Sequence, residues 1–311
     1  MGKPNNVERM LNAPLPMRNG VAPSRVYLPP GKWPTLLDFL SERFKYIAPE
    51  ILLERLVRGE IVDDAGAAQK ADGTYKPQRW LWYYREVPNE PVVPFELTVL
   101  HQDERLVVAD KPHFLASIPG GRYLRETALT RLRSLLGLPL LTPVHRLDRD
   151  TAGVMLFCAD PSARGAYQTL FQSRNVQKEY EAIAPWHSGL DLPRVHRSCI
   201  HTKSTHFTMF EAEGEPNSET VIELIGQWGH LGHYRLRPHT GRKHQLRVHM
   251  SALGIPICND GFYPELLEYQ ADDDFTRPLQ LLARAVEFKD PFTGKVRRFE
   301  SQRQLEFLAS K

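Results

Sequence analysis

The chain has 311 residues, 41% apolar and 25% charged, which is enough for about two domains of ordinary globular composition. No run approaches the roughly 18 apolar residues of a membrane span, and residues 1–20 lack the apolar core of a signal peptide, so the expected location is cytoplasmic without membrane association. Cys158, Cys199 and Cys258 are too scattered for a disulfide framework or a structural zinc site, and a net charge of +3 does not identify a nucleic-acid binder by its total.

Residues 1–33 are rich in Pro, Asn and Gly, show no clear period, and read as an extended N-terminal arm. Thr35 then precedes Leu36, Leu37, Leu40 and Phe44 at helical spacing, and Ile51, Leu52, Leu53, Leu56 and Val57 form a second helical pattern after Pro49. Residues 61–64 and the aromatic run 80–84 read as strands, separated by a loop holding Gly66 and an Asp72-Gly73 turn. This helix-helix-strand order over residues 34–87 resembles the alpha-L RNA-binding module, here in degenerate form. That family has a basic second helix followed by a Val-Asn-Gly turn. In this chain only Arg55 and Arg58 are basic there, and Asp63-Asp64-Ala65-Gly66 stands at the turn, which leaves RNA binding and a packing role both open. Three prolines mark residues 88–94 as a linker ahead of a domain over residues 95–311.

In that domain residues 97–100 and 106–109 are of strand length, and residues 127–136 read as a helix with Leu129, Leu132 and Leu136 on one face, stopped by Gly137. Residues 144–160, VHRLDRDTAGVMLFCAD, then place two carboxylates and two guanidiniums directly before an apolar run, 153–159, that reads as a buried strand. Charges at the mouth of such a strand are costly unless paired, so Asp148 requires a cation from elsewhere in the chain. Residues 162–173 form the next helix, with Ala166, Leu170 and Phe171 facing inward. Strands and helices interleave without a strict repeat, which predicts an α+β fold, a mixed sheet with helices packed on it.

Residues 176–184, VQKEYEAIA, read as a strand whose period of two puts Lys178, Tyr180 and Ala182 on one face and Glu179 and Glu181 on the other. A tyrosine so placed serves either as core or as a stacking platform for a nucleobase. Residues 234–237 form a strand ended by Pro238. Beyond it Thr240 is a suitable N-cap for a helix whose Leu246, Met250 and Leu253 mark the buried stripe and whose Gly254 is a suitable C′ residue. Arg247 lies about 100° from Leu246 on an ideal wheel, where a guanidinium can reach inward and pair bidentately with a carboxylate. Arg242 and Lys243, at the helix start, are better placed for phosphate. Between residues 233 and 250 stand Arg235, Arg237, Arg242, Lys243 and Arg247 and no acidic residue, a local basic field. His196, Cys199, His201 and His206 fit no common zinc spacing, and no phosphate-binding glycine loop occurs, so neither metal nor cofactor is expected.

Taken together, HRLDRDTAG, KEY and RPHTGRKHQLRVH, with LVVADKP before them and the Gly254 to Asp260 segment and AVEFKDPFTG after them, resemble the RluA family of pseudouridine synthases in order and spacing. Ala152, Asp110 and Leu282 stand where that family often has Ser, Asn and His. The resemblance implies the pseudouridine synthase fold, with a mostly antiparallel central sheet, and isomerisation of uridine in ribosomal or transfer RNA without a cofactor, by an enzyme expected to be monomeric. It further implies that Asp148 is the nucleophile, Arg247 its ion-pair partner and Tyr180 the aromatic against the base, while Arg146 enters the RNA stack as the target nucleotide flips out. Arg149, Thr151, Lys178, Thr240, Arg242, Lys243 and His244 are the accompanying substrate-binding positions, with Arg122 and Arg125 as further candidates for backbone contact. Two rivals stand beside this reading. One is a non-catalytic RNA-binding protein of the same fold. The other is a glycosidase-like hydrolase, which needs a second carboxylate that the strand period turns away.

Overall fold

The computed structural model describes residues 13–202, 207–267 and 274–306. They fall into two compact units that divide between residues 89 and 90, residues 133–140 going with the first. The first contains β1 (Ser24–Leu28), α1 (Leu36–Arg43), α2 (Pro49–Val57), β2 (Val62–Asp63) and β3 (Arg79–Tyr83), its antiparallel sheet ordered β1-β3-β2. Thr35 caps α1 reciprocally: its hydroxyl accepts the Asp38 N–H while the Asp38 carboxylate accepts the Thr35 N–H. Pro49 occupies the start of α2, where its missing N–H costs nothing. The expected arm is corrected in part, because residues 24–28 pair with β3 and alternate Val26 and Leu28 into the core beside Leu36, Phe39, Leu52 and Leu81. On α2, Arg55 is buried against Glu86 at 2.5 Å and Arg58 pairs with Glu54 at 3.2 Å, so both helix cations have internal partners.

The second unit contains β4 (Thr98–Gln102), β5 (Leu106–Lys111), the start of α3 (Ala128–Leu136), β6 (Thr142–Pro143), β7 (Ala152–Cys158), α4 (Arg164–Gln172), β8 (Val176–Pro185) and β9 (Arg194–Thr202). There follow β10 (Met209–Ala212), β11 (Ser218–Trp228), β12 (Leu231–Pro238), α5 (Gln245–Ala252), β13 (Leu281–Lys289) and β14 (Val296–Glu300). The sheet runs β10-β9-β11-β12-β8-β13-β7-β5-β4, with β6 beside β7 and β14 beside β13. All its pairings are antiparallel except β7 with β13, which fits the mixed α+β expectation. That parallel contact requires Gly153. At φ 114° any Cβ there would lie 2.2 Å from the Ala283 carbonyl oxygen.

Residues 90–94, expected as linker, are anchored instead. The Glu90 carboxylate accepts the N–H groups of Leu124, Arg125 and Glu126, and Val93 is buried. On α4 the inward face is centred on Tyr167, whose hydroxyl donates to Asp290, with Leu170 and Phe171 only partly buried. α5 begins at Gln245 rather than near Thr240, because His244 takes a left-handed conformation that ends the preceding turn. It closes as expected at Gly254: the Gly254 N–H reaches the Ser251 carbonyl and the Ile255 N–H the Met250 carbonyl. Leu246 and Met250 pack with Ala182, Ile222, Tyr234 and Leu236, which fixes α5 on the sheet. Among the described residues no helix is long and apolar enough to cross a membrane.

Candidate active site

The loop between β6 and β7 is tied down before it presents any side chain. Ser117 Oγ donates to the Leu147 carbonyl at 2.6 Å and accepts its N–H at 3.1 Å, so the residue before Asp148 is held twice. Lys111, wholly buried, donates to the carbonyls of Pro112, Leu115 and Arg149 at 2.8–3.0 Å, and His113 Nδ1 lies 2.7 Å from the Asp150 carbonyl. Burial pushes Lys111 down to about 7, yet three carbonyl acceptors match the three hydrogens of an ammonium. Farther up the loop, the Leu156 N–H donates to His145 Nε2 at 3.1 Å, which requires a neutral ring, and burial lowers that histidine to about 3.

Asp148 faces a cleft of about 750 Å³ lined by this loop, by Lys178 and Tyr180 from β8, and by residues 238–247. Of the predicted positions the cleft gathers Arg146, Asp148, Thr151, Lys178, Tyr180, Thr240, Arg242, Lys243, His244 and Arg247. Arg149 is the correction. It pairs with Asp150 at 3.0 Å and lies over the rings of Phe114 and Tyr123 rather than lining the cleft. Among the described lining residues Asp148 is the one carboxylate.

Arg247 sits 3.5 Å from Asp148 through Nη1, but its bidentate partner is Asp260: Nε donates to Oδ2 at 2.7 Å and Nη2 to Oδ1 at 2.6 Å. Both of those side chains are essentially buried, whereas Asp148 is about a third exposed. Asp260 therefore aims the remaining nitrogen at Asp148, and burial, which by itself lowers an arginine, is outweighed by Asp260. The helix that carries Arg247 is held from below by Gln245, whose amide oxygen accepts from Thr240 Oγ1 and the Arg242 N–H and whose NH₂ donates to the Glu219 carbonyl and Thr220 Oγ1.

The Tyr180 hydroxyl is raised by burial and by the Asp148 charge, so the phenol stays protonated beside the carboxylate. Lys178 donates to the Thr240 carbonyl at 2.8 Å, and burial lowers it to about 8. Arg242 reaches the Asn217 carbonyl and Lys243 the Phe207 carbonyl, and both keep charge at the cleft rim with the exposed Arg146 and Arg174. Arg235 and Arg237 do not contribute to this field. They lie on the far face of the sheet within ion-pair reach of Glu179 and Glu223.

A three-residue cluster, His196, Glu211 and His249, brings ring nitrogens and a carboxylate oxygen within 4.8 Å of one another, a convergence that sequence spacing did not reveal. Hydrogen bonds within the protein already occupy His249: Nε2 meets Ser198 Oγ at 3.1 Å and Ser218 Oγ at 2.9 Å, and Nδ1 meets Thr220 Oγ1 at 2.9 Å. His206 lies outside the described residues; His201 meets Cys199 at 3.1 Å.

Comparison with known proteins agrees with this architecture. Residues 105–252 match the family described as RNA pseudouridylate synthase. The chain is 32% identical over 222 residues to a dual-specificity RNA pseudouridine synthase RluA of Salmonella typhi, covering 68% of this chain and 95% of that one. It is 31% identical over 273 residues to ribosomal large subunit pseudouridine synthase C of Vibrio cholerae, covering 83% and 86%. In fold it is similar to human RNA pseudouridylate synthase domain containing 4, with a TM-score of 0.53 and 24% identity over 68% of this chain and 90% of that one. The class defined by fold and sequence is thus the RNA pseudouridine synthases, isomerases that turn uridine into pseudouridine within RNA. Within that class, the chain belongs to the RluA family.

Proposed function

We propose that the cleft is the catalytic centre and that Asp148 is the nucleophile acting on a flipped uridine of ribosomal or transfer RNA. The observation that carries this is the solitary carboxylate: Asp148 stands at the cleft on a braced loop, with Arg247 aimed at it by a second, buried carboxylate. Two carboxylates at one glycosidic bond, as a hydrolase requires, are not available among the described lining residues. In the isomerisation the bond from N1 to the ribose breaks, C5 of the turned base bonds to the same carbon, C5 loses a proton and N1 gains one. Atoms and electrons balance without a cofactor. Asp148 supplies the nucleophile, Arg247 its counter-charge, and Tyr180 a protonated ring against the base that can take part in the proton transfer.

Ribosomal RNA is chosen because the Vibrio relative is named a ribosomal large subunit enzyme, and transfer RNA because a relative from Saccharomyces cerevisiae is named a mitochondrial tRNA pseudouridine(32) synthase. Extruding the nucleotide costs a few kcal/mol and is cheapest in loops, and exposed Arg146 at the mouth is suited to fill the vacated stack. We assign backbone contact to Arg242, Lys243 and Lys178, in a monomeric cytoplasmic enzyme. In the first unit, Arg55 of α2 is buried against Glu86 and only Arg58, at the helix end, is exposed, which favours packing over binding. The test is Asp148→Asn, expected to abolish pseudouridine formation while RNA affinity changes by no more than a few fold. Undiminished product would overturn the assignment.

A further inference from the structure

His244 occupies a conformation that few side chains adopt, φ 56° and ψ 17°, directly before α5. Its ring is nearly enclosed, stacked on Phe262 at 5.6 Å and 17°, with Nε2 4.0 Å from Asp148 Oδ2. A strained backbone holding a buried polar ring toward a reactive carboxylate is the kind of outlier from which function is reasonably inferred.

The tautomer follows from its neighbours. The Tyr263 hydroxyl oxygen accepts the Met209 N–H at 2.8 Å and lies 2.9 Å from His244 Nδ1. Tyr263 is buried and these are its hydroxyl's partners among the described residues, so its hydrogen is satisfied only by donation to Nδ1. Nδ1 therefore carries the lone pair. Burial, with the charges of Arg247 and Lys243, lowers the ring to about 3, so it is neutral at physiological pH and its one proton sits on Nε2, facing the cleft.

A second donor waits beside it. Arg247 Nη1 is buried and has no hydrogen-bond partner among the described residues, since Asp260 takes Nε and Nη2 and Asp148 lies at 3.5 Å. A buried donor left in that state implies an acceptor that arrives with the ligand.

We infer that His244 Nε2–H and Arg247 Nη1–H form a two-donor cradle for one carbonyl oxygen of the bound uracil, which makes His244 a base-reading residue. This rests on the proposed function of the cleft and adds to it which group of the base is gripped and by what. Neither donor can accept a hydrogen bond, so an amino group presented at the same point would be repelled.

The test uses the full-length protein and transcripts of its target segment, located by mapping pseudouridine in total RNA, made with uridine, 2-thiouridine or 4-thiouridine. Sulfur is the weaker acceptor. The wild type is expected to slow about tenfold on one of the two thio transcripts. His244→Asn, a residue that tolerates the same backbone conformation, should lose a similar factor on the uridine transcript and clearly less than a further tenfold on that thio transcript, where only the Arg247 donor still meets the sulfur. Penalties that multiply, an unslowed variant, or no sulfur effect at either position would overturn the cradle. Tyr263→Phe, which deletes only the hydroxyl, gives a second readout if His244→Asn folds poorly. Nitrogen NMR should find the wild-type His244 proton on Nε2 and a mixture of tautomers in Tyr263→Phe, whereas a proton on Nδ1 in the wild type refutes the inference. Failure of the underlying reading looks different, since Asp148→Asn would then be as active as the parent.

Discussion

Asp260→Asn is the most informative perturbation of the ion-pair system. The variant keeps size and an acceptor for the Phe262 and Tyr263 N–H groups, now 2.8 and 3.2 Å from Oδ1, but removes the charge that holds Arg247. Breaking a fully buried pair costs about 3–5 kcal/mol, and the retained backbone contacts favour the lower end, about 3 kcal/mol. The freed guanidinium is then left with Asp148 as its nearest counter-charge. At 3.5 Å the attraction is about 5 kcal/mol for an effective dielectric of ~20, reduced by the one-third exposure of Asp148. Arg247 is expected to swing and engage Asp148 through two nitrogens, occupying the oxygen that must attack. The single-turnover rate should fall about 100-fold, with RNA affinity nearly unchanged, and the urea midpoint should drop in parallel. A variant that unfolds at the parental urea concentration and keeps more than half its rate would refute the view that Asp260 aims Arg247.

Two further outcomes follow from the charges. Besides Arg247, which is committed to Asp260 and Asp148, five cations line the cleft, Arg146, Arg174, Lys178, Arg242 and Lys243, and at about −0.7 each for a single strand they predict a slope of log K against log[salt] near −3.5, so binding should weaken about 100-fold between ~50 and ~200 mM salt. Lys178→Gln should make that slope shallower by about 0.7, and an unchanged slope in filter-binding titrations would remove Lys178 from the phosphate contacts. Acid should destabilise the fold before the carboxylates titrate. His145, His244 and His249 are lowered by burial to about 3 from an ordinary value near 6.5, so below pH 6.5 the unfolded chain takes up protons that the folded chain refuses. Their stabilisation is complete above pH 6.5 and is lost as pH falls toward 3, by about 1.4 kcal/mol per pH unit for each ring at full effect. His249→Gln should lessen the slope of urea stability against pH by about one such increment between pH 6 and 4, and an identical slope would contradict a buried neutral ring.

How much of this was legible beforehand depended on whether a residue's partner lay on the same element. The alternation in residues 176–184 sorted Tyr180 from Glu179 and Glu181 correctly, because period two is a local property of a strand. The same period around Tyr234 and Leu236 could have turned Arg235 and Arg237 away from the cleft, but their partners Glu179 and Glu223 are supplied by neighbouring strands whose register no local pattern reveals. Arg247 was expected to make one bidentate pair, with Asp148. That geometry belongs to Asp260, 13 residues on, and the only signal for it was its place in the Gly254 to Asp260 segment. The N-cap expected at Thr240 failed for a related reason: Thr240 Oγ1 does hold the helix, but through the side chain of Gln245, while a left-handed His244 sets the true start. In the sequence Lys111 stood only as one residue of LVVADKP, and its burial is visible only once the loop carrying Arg149 folds over it.

The solitary carboxylate in the cleft is itself a product of the sheet. β8 alone carries two glutamates within two residues of Tyr180, and either one turned inward would place a second negative charge where RNA must lie. On the far face they are absorbed by cations from adjoining strands. Burial tends to raise Glu181, but hydrogen bonds from His233 and Arg284 bring it down to about 2, and Glu179 lies within reach of Arg235, Arg237 and Arg298. A one-residue slip of β8 would exchange these faces entirely, putting Glu179 and Glu181 against the cleft and Tyr180 against the arginines. Register between β8, β12 and β13 is therefore as much a part of the site as Asp148. Ala182, which joins Tyr234, Leu236 and Leu281 in the core in the observed register, helps hold the acidic face away from the RNA.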